Sequence, residues 1–182
     1  MICFGLCGMP GCGKRIVSDI LVKKGFKSIE LSIFLKRELN HRVIKINSQN
    51  IISLADELRK TFGNDVLAQN AFNYIKENQI KLAVIDGIRT LDELNYLRFK
   101  FTDNFLLIFV HSPTQKRHKS ILLRKKILKN KKDIEDFDKV NLELGLINVI
   151  LNADIILDNG NYSMIPIKDQ VNLILDKIGN HS

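Results

Sequence analysis

Residues 2–15 read Ile2-Cys3-Phe4-Gly5-Leu6-Cys7-Gly8-Met9-Pro10-Gly11-Cys12-Gly13-Lys14-Arg15, and this stretch decides the fold. Its first half is uncharged and apolar without alternation, the pattern of a strand covered on both faces. Its second half is a Gly-x4-Gly-Lys turn opening an amphipathic helix. Such glycines let the backbone curl so that successive N–H groups face inward. The helix N-terminus adds partial positive charge, and the lysine reaches the β- and γ-phosphates of a nucleotide. Gly8, Met9, Pro10, Gly11, Cys12, Gly13, Lys14 and Arg15 are therefore the candidate phosphate-binding residues. The motif normally continues with Ser or Thr, whose hydroxyl goes to Mg²⁺; here Arg15 follows, and a guanidinium cannot ligate a cation. Pointing inward, it would take part of the metal's space and charge. Pointing outward, it would leave the metal to the nucleotide, water and other groups. Cys12 is read as a small side chain filling the loop.

Outward from this loop, short apolar runs recur at 28–31, 82–85, 105–110 and 155–157, with helical spacing between them at 15–24, 33–40, 48–62, 65–77, 91–99, 114–128, 134–144 and 164–178. Asn64 is a candidate cap for the fourth of these helices. Strands alternating with helices predict right-handed crossovers and an α/β fold with about five parallel strands. Roughly fifty residues separate the second strand from the third, and about forty-five the fourth from the fifth, too many for one helix each. Residues 1–182 thus read as one domain with two helical excursions, over about 33–80 and about 114–145.

Composition narrows the class. A chain of 182 residues buries about 70% of its unfolded surface, enough for a core without staples. With 45% hydrophobic and 26% charged residues it sits at the globular average, and no apolar run approaches the ~18 residues of a membrane span, so no membrane partner is expected. The apolar start lacks a basic leader and turns into glycines, unlike a secretory signal, so a cytoplasmic location is expected. Cys3, Cys7 and Cys12 show no CxxC spacing and read as reduced thiols. The four histidines give no metal spacing, and His111 reads as a hydrogen-bonded structural residue. The net charge of +8 is localised: nine Lys or Arg and no acid lie between 115 and 132, leaving 19 basic and 20 acidic residues elsewhere. That run can hold phosphates of a small ligand, lie on nucleic acid, or be a solvated helix face. No aromatic residue interleaves it to stack bases, so nucleic acid is possible but not favoured.

The second candidate segment is Val84-Ile85-Asp86-Gly87-Ile88-Arg89, an acid at the carboxyl end of an apolar strand, where parallel sheets collect ligands. Asp86 would hold Mg²⁺, through water, or cap the next helix; Arg89 would contact an oxyanion. Together, the glycine loop, Asp86-Gly87-Ile88-Arg89, His111-Ser112-Pro113, Glu143-Leu144-Gly145-Leu146, Ala153-Asp154 and Asp158-Asn159-Gly160 resemble the P-loop nucleoside-monophosphate kinases. The nearest resemblance is to small archaeal adenylate-kinase-related proteins, themselves similar to dephospho-CoA kinases. It covers nearly the whole chain. It implies a three-layer P-loop NTPase fold with a five-stranded parallel sheet, a helical acceptor-binding insertion and a lid, the two excursions already noted. It implies ATP and Mg²⁺ as cofactors and a small phosphorylated acceptor as partner. Lys14 would bind donor phosphates, and Arg59 and Arg89, with Lys36 and Arg37, would face the acceptor. Arg117 and Arg124 would stabilise charge on the transferred group, and Asn159 and Gly160 would edge the donor base.

The departures fall at metal, acceptor and transition-state positions: Arg15 for the hydroxyl, Ile33 for an acceptor-side aspartate, and Phe137 where relatives carry a lid arginine. Three functions are therefore open: a phosphotransferase from ATP to a small phosphorylated acceptor such as a nucleoside monophosphate, a catalytically impaired nucleotide-binding relative acting as sensor or assembly factor, and an RNA- or ribosome-associated NTPase. Arg15 makes one expectation measurable. ATP titrated with and without Mg²⁺ should show affinity that depends less on the metal than is usual for this motif, and a strict requirement would contradict that reading of Arg15.

Overall fold

The computed structural model describes residues 1–124, 130–160 and 162–179. In chain order these form β1 (Ile2–Cys7), α1 (Lys14–Lys23), β2 (Lys27–Glu30), α2 (Ser32–His41), α3 (Ser48–Phe62), α4 (Val66–Glu77), β3 (Leu82–Asp86), α5 (Leu91–Phe101), β4 (Phe105–His111), α6 (Thr114–Arg124), α7 (Lys131–Glu143), α8 (Leu146–Leu151), β5 (Ile155–Asp158) and α9 (Ile167–Gly179). The strands make one parallel sheet in the order β2-β3-β1-β4-β5. This is the α/β architecture expected, with the glycine loop leaving the central strand.

Burial explains the continuous apolar runs. Along β1, Cys3 and Cys7 enter a core shared with α2 to α5 and α8, while Phe4 and Leu6 enter a second core shared with α1 and α9. β4 alternates likewise, with Phe105 and Leu107 on one side and Ile108 and Val110 on the other. A strand covered on both faces needs apolar side chains at every position, so period-two alternation is absent. The cysteines are free thiols and buried; burial pushes the Cys7 thiol up to about 12.

Four local expectations are corrected. The fourth helix is capped by Asp65, not Asn64, and without a side-chain cap bond, because the Asp65 carboxylate accepts from Gln69 Nε2 at 3.0 Å. α7 begins at Lys131, three residues earlier than the spacing suggested, because Asn130 caps it by accepting from the Asp133 N–H at 2.9 Å. Gly145, at φ 87°, then starts the unexpected α8, which buries Leu146 and Val149. The last helix begins at Ile167, just after Pro166, and residues before it form a loop that wraps Asp158. No helix among the described residues is long and apolar enough to cross a membrane.

α5 starts with a full capping box. Thr90 Oγ1 accepts from the Glu93 N–H at 3.1 Å, and Glu93 Oε2 accepts from the Thr90 N–H at 3.3 Å. The box matters because Glu93 is wholly buried beside the candidate site. Thr90→Ala should lower the unfolding free energy by about 1–2 kcal/mol, read as a lower urea midpoint at unchanged slope. A midpoint within error of wild type would show that the box carries no stability.

Candidate functional site

The loop between β1 and α1 sits at the carboxyl edge of the sheet's central strand. Gly13 is left-handed at φ 107° and has no room for a Cβ, which would strike the Asn159 side chain. Gly11, at φ 79°, is pressed against α6, where a Cβ would meet the Arg117 carbonyl at 2.8 Å. Lys14 folds back over the loop: its Nζ donates to the Gly8 carbonyl at 2.7 Å and the Met9 carbonyl at 3.4 Å, and lies 3.8 Å from Cys12 Sγ. Two further loop carbonyls find side-chain donors from distant elements. Arg117 Nη1 donates to the Pro10 carbonyl at 2.8 Å, and Asn159 Nδ2 to the Cys12 carbonyl at 2.8 Å.

Arg15 points away from the loop. Its side chain is 74% exposed and lies 3.9 Å from Asp19 on the next turn. Of the two orientations open from sequence, the outward one is adopted, so the guanidinium does not stand in the metal's place. Asp86, at the end of β3, has an Oδ1 that is buried without a hydrogen-bond partner among the described residues. Burial pushes its carboxyl above the ordinary range, Glu30 adds to that push, and Lys14 and Arg89 oppose it. No group of three or more His, Cys, Asp or Glu among the described residues would hold a metal alone. One orphaned carboxylate oxygen beside a phosphate loop does fit Mg²⁺, which characteristically takes one or two carboxylates and completes its shell with phosphates and water.

Around Asp86, the structure brings together charges that are far apart in sequence. Arg59 is buried on α3 and pairs with Glu93 of α5 at 3.3 Å, with Arg59 Nε left without a hydrogen-bond partner among the described residues. The Glu93 carboxyl is pushed up by burial and drawn down by Arg59 and by the Arg89 N–H, which donates to Oε2 at 2.8 Å; burial prevails. Arg89 lies with its guanidinium over the Phe137 ring at 5.7 Å. Burial lowers its pKa, and Glu93, Asp86 and Glu30 resist that. Glu30 pairs in the β2–β3 register with Asp86. Its carboxyl is raised by burial, but the Ser32 hydroxyl at 2.6 Å and Lys36 at 3.2 Å outweigh this and hold it below the usual carboxylate range. Lys36 is thereby tied to the cluster, whereas Arg37 stacks on Tyr74 at 5.8 Å. A cleft of about 300 Å³ beside β2 is lined by Glu30, Ile33, Phe34, Arg37 and Tyr74 among others.

On the other side of the loop, Arg117 is buried and pairs through Nη1 and Nη2 with both oxygens of Asp138, at 3.1 and 2.8 Å; His118 Nε2 lies 3.1 Å from the same carboxylate. The Asn159 carbonyl accepts from Lys116 Nζ at 2.6 Å. Gly160 donates its N–H to Asp158 Oδ1 at 2.9 Å, and His111 Nδ1 bonds the same oxygen at 3.0 Å, so His111 is a hydrogen-bonded residue as expected. The Arg124 side chain, with Lys125, Lys126 and Lys129 of the basic run, lies outside the described residues.

Sequence reasoning missed Glu93, Glu30 and Asp138. Thr90-Leu91-Asp92-Glu93 is a capping-box signature and would have found the first. Glu30 and Asp138 have no local signal, since a strand register and a partner 21 residues away place them.

No family model matches the chain. It is similar to a UPF0200 protein of Thermococcus kodakarensis, 29% identical over 176 residues that cover 94% of this chain and 95% of that protein. It is also similar to a UPF0200 protein of Methanocaldococcus jannaschii, 32% identical over 114 residues, 62% of this chain and 57% of that protein. Among solved structures it resembles shikimate kinase from Bacteroides thetaiotaomicron, with TM-score 0.60, 15% identity and 98% of each chain covered. Shikimate kinase from Acinetobacter baumannii, in complex with shikimate, gives 0.58 at 13% identity, covering 100% of this chain and 95% of that one. The chain thus has a P-loop kinase-like fold.

Asp86 yields a prediction with a defined sign. A carboxyl raised in the folded state contributes stability in full below its unfolded pKa, about 3.9, and loses it as pH rises through the folded value. At neutral pH the buried charge is a net cost. Asp86→Asn should therefore raise the ligand-free melting temperature by a few degrees at pH 7 and by less at acid pH, while abolishing any gain in ATP affinity from Mg²⁺. An unchanged metal effect would place the cation elsewhere.

Proposed function

We propose that the chain is an ATP-dependent phosphotransferase that moves the γ-phosphate to a small phosphorylated acceptor such as a nucleoside monophosphate. One observation carries this reading: Asp86 Oδ1 is left buried and unpartnered on the strand next to the phosphate loop, within the electrostatic reach of Lys14. A buried unsatisfied carboxylate oxygen costs stability, and a ligand that satisfies it explains its place.

In this reading the loop from Gly8 to Lys14 takes the triphosphate through its amides and the Lys14 ammonium, and Asp86 holds Mg²⁺ through water. When bound, the cation would neutralise charge building on the phosphoryl oxygens. Arg59 and Arg89 receive the acceptor's phosphate. Arg59 enters already paired with Glu93 at hydrogen-bond distance, whereas the Arg89 guanidinium lies over the Phe137 ring. Lys36 steadies Glu30 at the mouth of the adjoining cleft, which Arg37 and Tyr74 border. Residues 33–80 act as the acceptor-binding insertion and 114–145 as the lid. Arg117 meets the donor phosphates, Arg124 is assigned the same duty by resemblance, and Asn159 and Gly160 border the donor base. Placement among adenylate-kinase-related proteins similar to dephospho-CoA kinases belongs to this proposal and is supported by the motif order from Gly8 to Gly160.

A second reading is a nucleotide-binding relative with impaired transfer. It is favoured by Arg15 standing where the motif supplies a Ser or Thr hydroxyl, and by Phe137 in place of a lid arginine. Binding to RNA draws less support, since two cations of the basic run are engaged internally: Lys116 on Asn159 and Arg117 on Asp138.

Lys14→Ala should weaken ATP binding on the order of 10- to 100-fold by calorimetry. With Mg²⁺ and a panel of nucleoside monophosphates and other small phosphorylated compounds, wild type should form ADP in an acceptor-dependent way. Binding without turnover across the panel would leave the second reading standing. ATP affinity unchanged in the variant would remove both.

A further inference from the structure

We propose that Asp138 is a built-in anion that competes with the donor triphosphate for Arg117, so that the ligand-free chain holds its own lid-side cation out of service. The inference rests on the reading of the glycine loop as a triphosphate site.

Four contacts define the arrangement. Arg117 Nη1 donates to the Pro10 carbonyl at 2.8 Å and to Asp138 Oδ1 at 3.1 Å, Nη2 donates to Asp138 Oδ2 at 2.8 Å, and His118 Nε2 meets that Oδ2 at 3.1 Å. The side chains of Arg117 and Asp138 are 5% and 13% exposed, so the pair is shielded and both carboxylate oxygens are engaged. One end of this lock is fixed. The Arg117 backbone is packed on Gly11, and its guanidinium is pinned to Pro10, both within the phosphate loop. The other end is exchangeable, because the planar guanidinium offers paired donors that fit a carboxylate or a phosphate equally in geometry, and a triphosphate brings more charge. A carboxylate left beside the loop also repels the incoming anion.

Asp138 has a neighbour with a matching duty. Phe137, the preceding residue of α7, covers the face of Arg89 on the acceptor side. Adjacent residues of one helix thus hold an arginine from each side of the site. For Arg89 the partner is a ring that leaves the in-plane donors free. For Arg117 it is an anion that consumes them. The asymmetry assigns competition to Asp138 and mere orientation to Phe137. A protein whose binding-competent state is a fraction of the total binds its ligand more weakly by that fraction, so the lock lowers donor affinity.

The test measures ATP binding by calorimetry to the full chain as wild type, Asp138→Asn, and Asp138→Asn with Arg117→Ala. Asp138→Asn should bind about tenfold more tightly than wild type, and the gain should vanish in the double variant. If Asp138 instead supports Arg117, its loss weakens binding; equal or weaker binding by Asp138→Asn overturns the inference. A second measurement needs no variant. On saturation of wild type with ATP, hydrogen exchange should slow in the loop at 8–14 and quicken in α7 as Asp138 is released, whereas slowing in both overturns the proposal. Failure of wild type and Asp138→Asn alike to bind ATP would remove the triphosphate reading and this inference with it. Wild-type binding without a gain in Asp138→Asn removes this inference alone.

Discussion

Four carbonyl oxygens of the glycine loop are claimed by side-chain donors, and the rest of the site follows from that. Lys14 takes those of Gly8 and Met9, Arg117 that of Pro10, and Asn159 that of Cys12. Backbone acceptors left buried and unpaired cost about as much as a lost hydrogen bond. Satisfying them from outside lets the loop keep its curl before any ligand arrives. The donors come from α1, from α6 and from the turn after β5, so a loop of seven residues ties together the start, the middle and the end of the chain. That is why the parallel order with β1 at the centre matters: α6 leaves from β4 beside it, and the turn carrying Asn159 leaves from β5, the next strand out.

Charge burial is the second constraint. Arg59, Glu93, Arg89 and Asp86 converge on one edge of the sheet, where each would be unstable alone. Their mutual fields recover part of the desolvation, but Arg59 Nε and Asp86 Oδ1 find no hydrogen-bond partner among the described residues. Each such atom in a folded protein calls for an explanation, and a bound ligand is one. Stability has been conceded here, and the concession sits where α3, β3 and α5 come together. The capping box of α5 makes this possible by using backbone N–H groups to hold Glu93 in place, so that the carboxylate faces Arg59 without further support.

The fold was legible because its signals are local. An uncharged run, a glycine turn with lysine and an amphipathic helix follow one another, and both-face burial writes each strand as a short apolar block. The glycine loop between strand and helix, and the place of Asp86 at the end of its strand, were legible for the same reason. Three features were not. The outward turn of Arg15 depends on Asp19 and solvent, which no motif encodes. The pairing of Arg117 with Asp138 joins residues 21 apart through helix packing. Glu30 reaches Asp86 through a strand register. Sequence spacing finds residues that share an element; the charges that decide this site sit on different ones.

Set against the kinase pattern that the sequence motifs resemble, the departures redistribute charge more than they remove it. Ile33 removes a carboxylate from α2, yet Glu30, three residues earlier and opposite Asp86, restores one at the carboxyl edge of β2, and Ser32 and Lys36 keep it ionised. Phe137 removes a cation from α7, yet its ring lies over Arg89, whose guanidinium it steadies without neutralising. Only Arg15 has no such counterpart, since no serine or threonine hydroxyl stands at that turn of α1. A site that lost its role would be free to lose such charges one by one. In this chain the carboxylate removed at one position has an ionised successor a strand end away, held there at a cost in exposed surface and in paired side chains. Electrostatic positioning governs phosphoryl transfer, so the phosphotransferase proposed above would depend on where these charges stand, with Glu30 and Arg89 on one side of Asp86 and the exposed Arg15 on the turn after the loop.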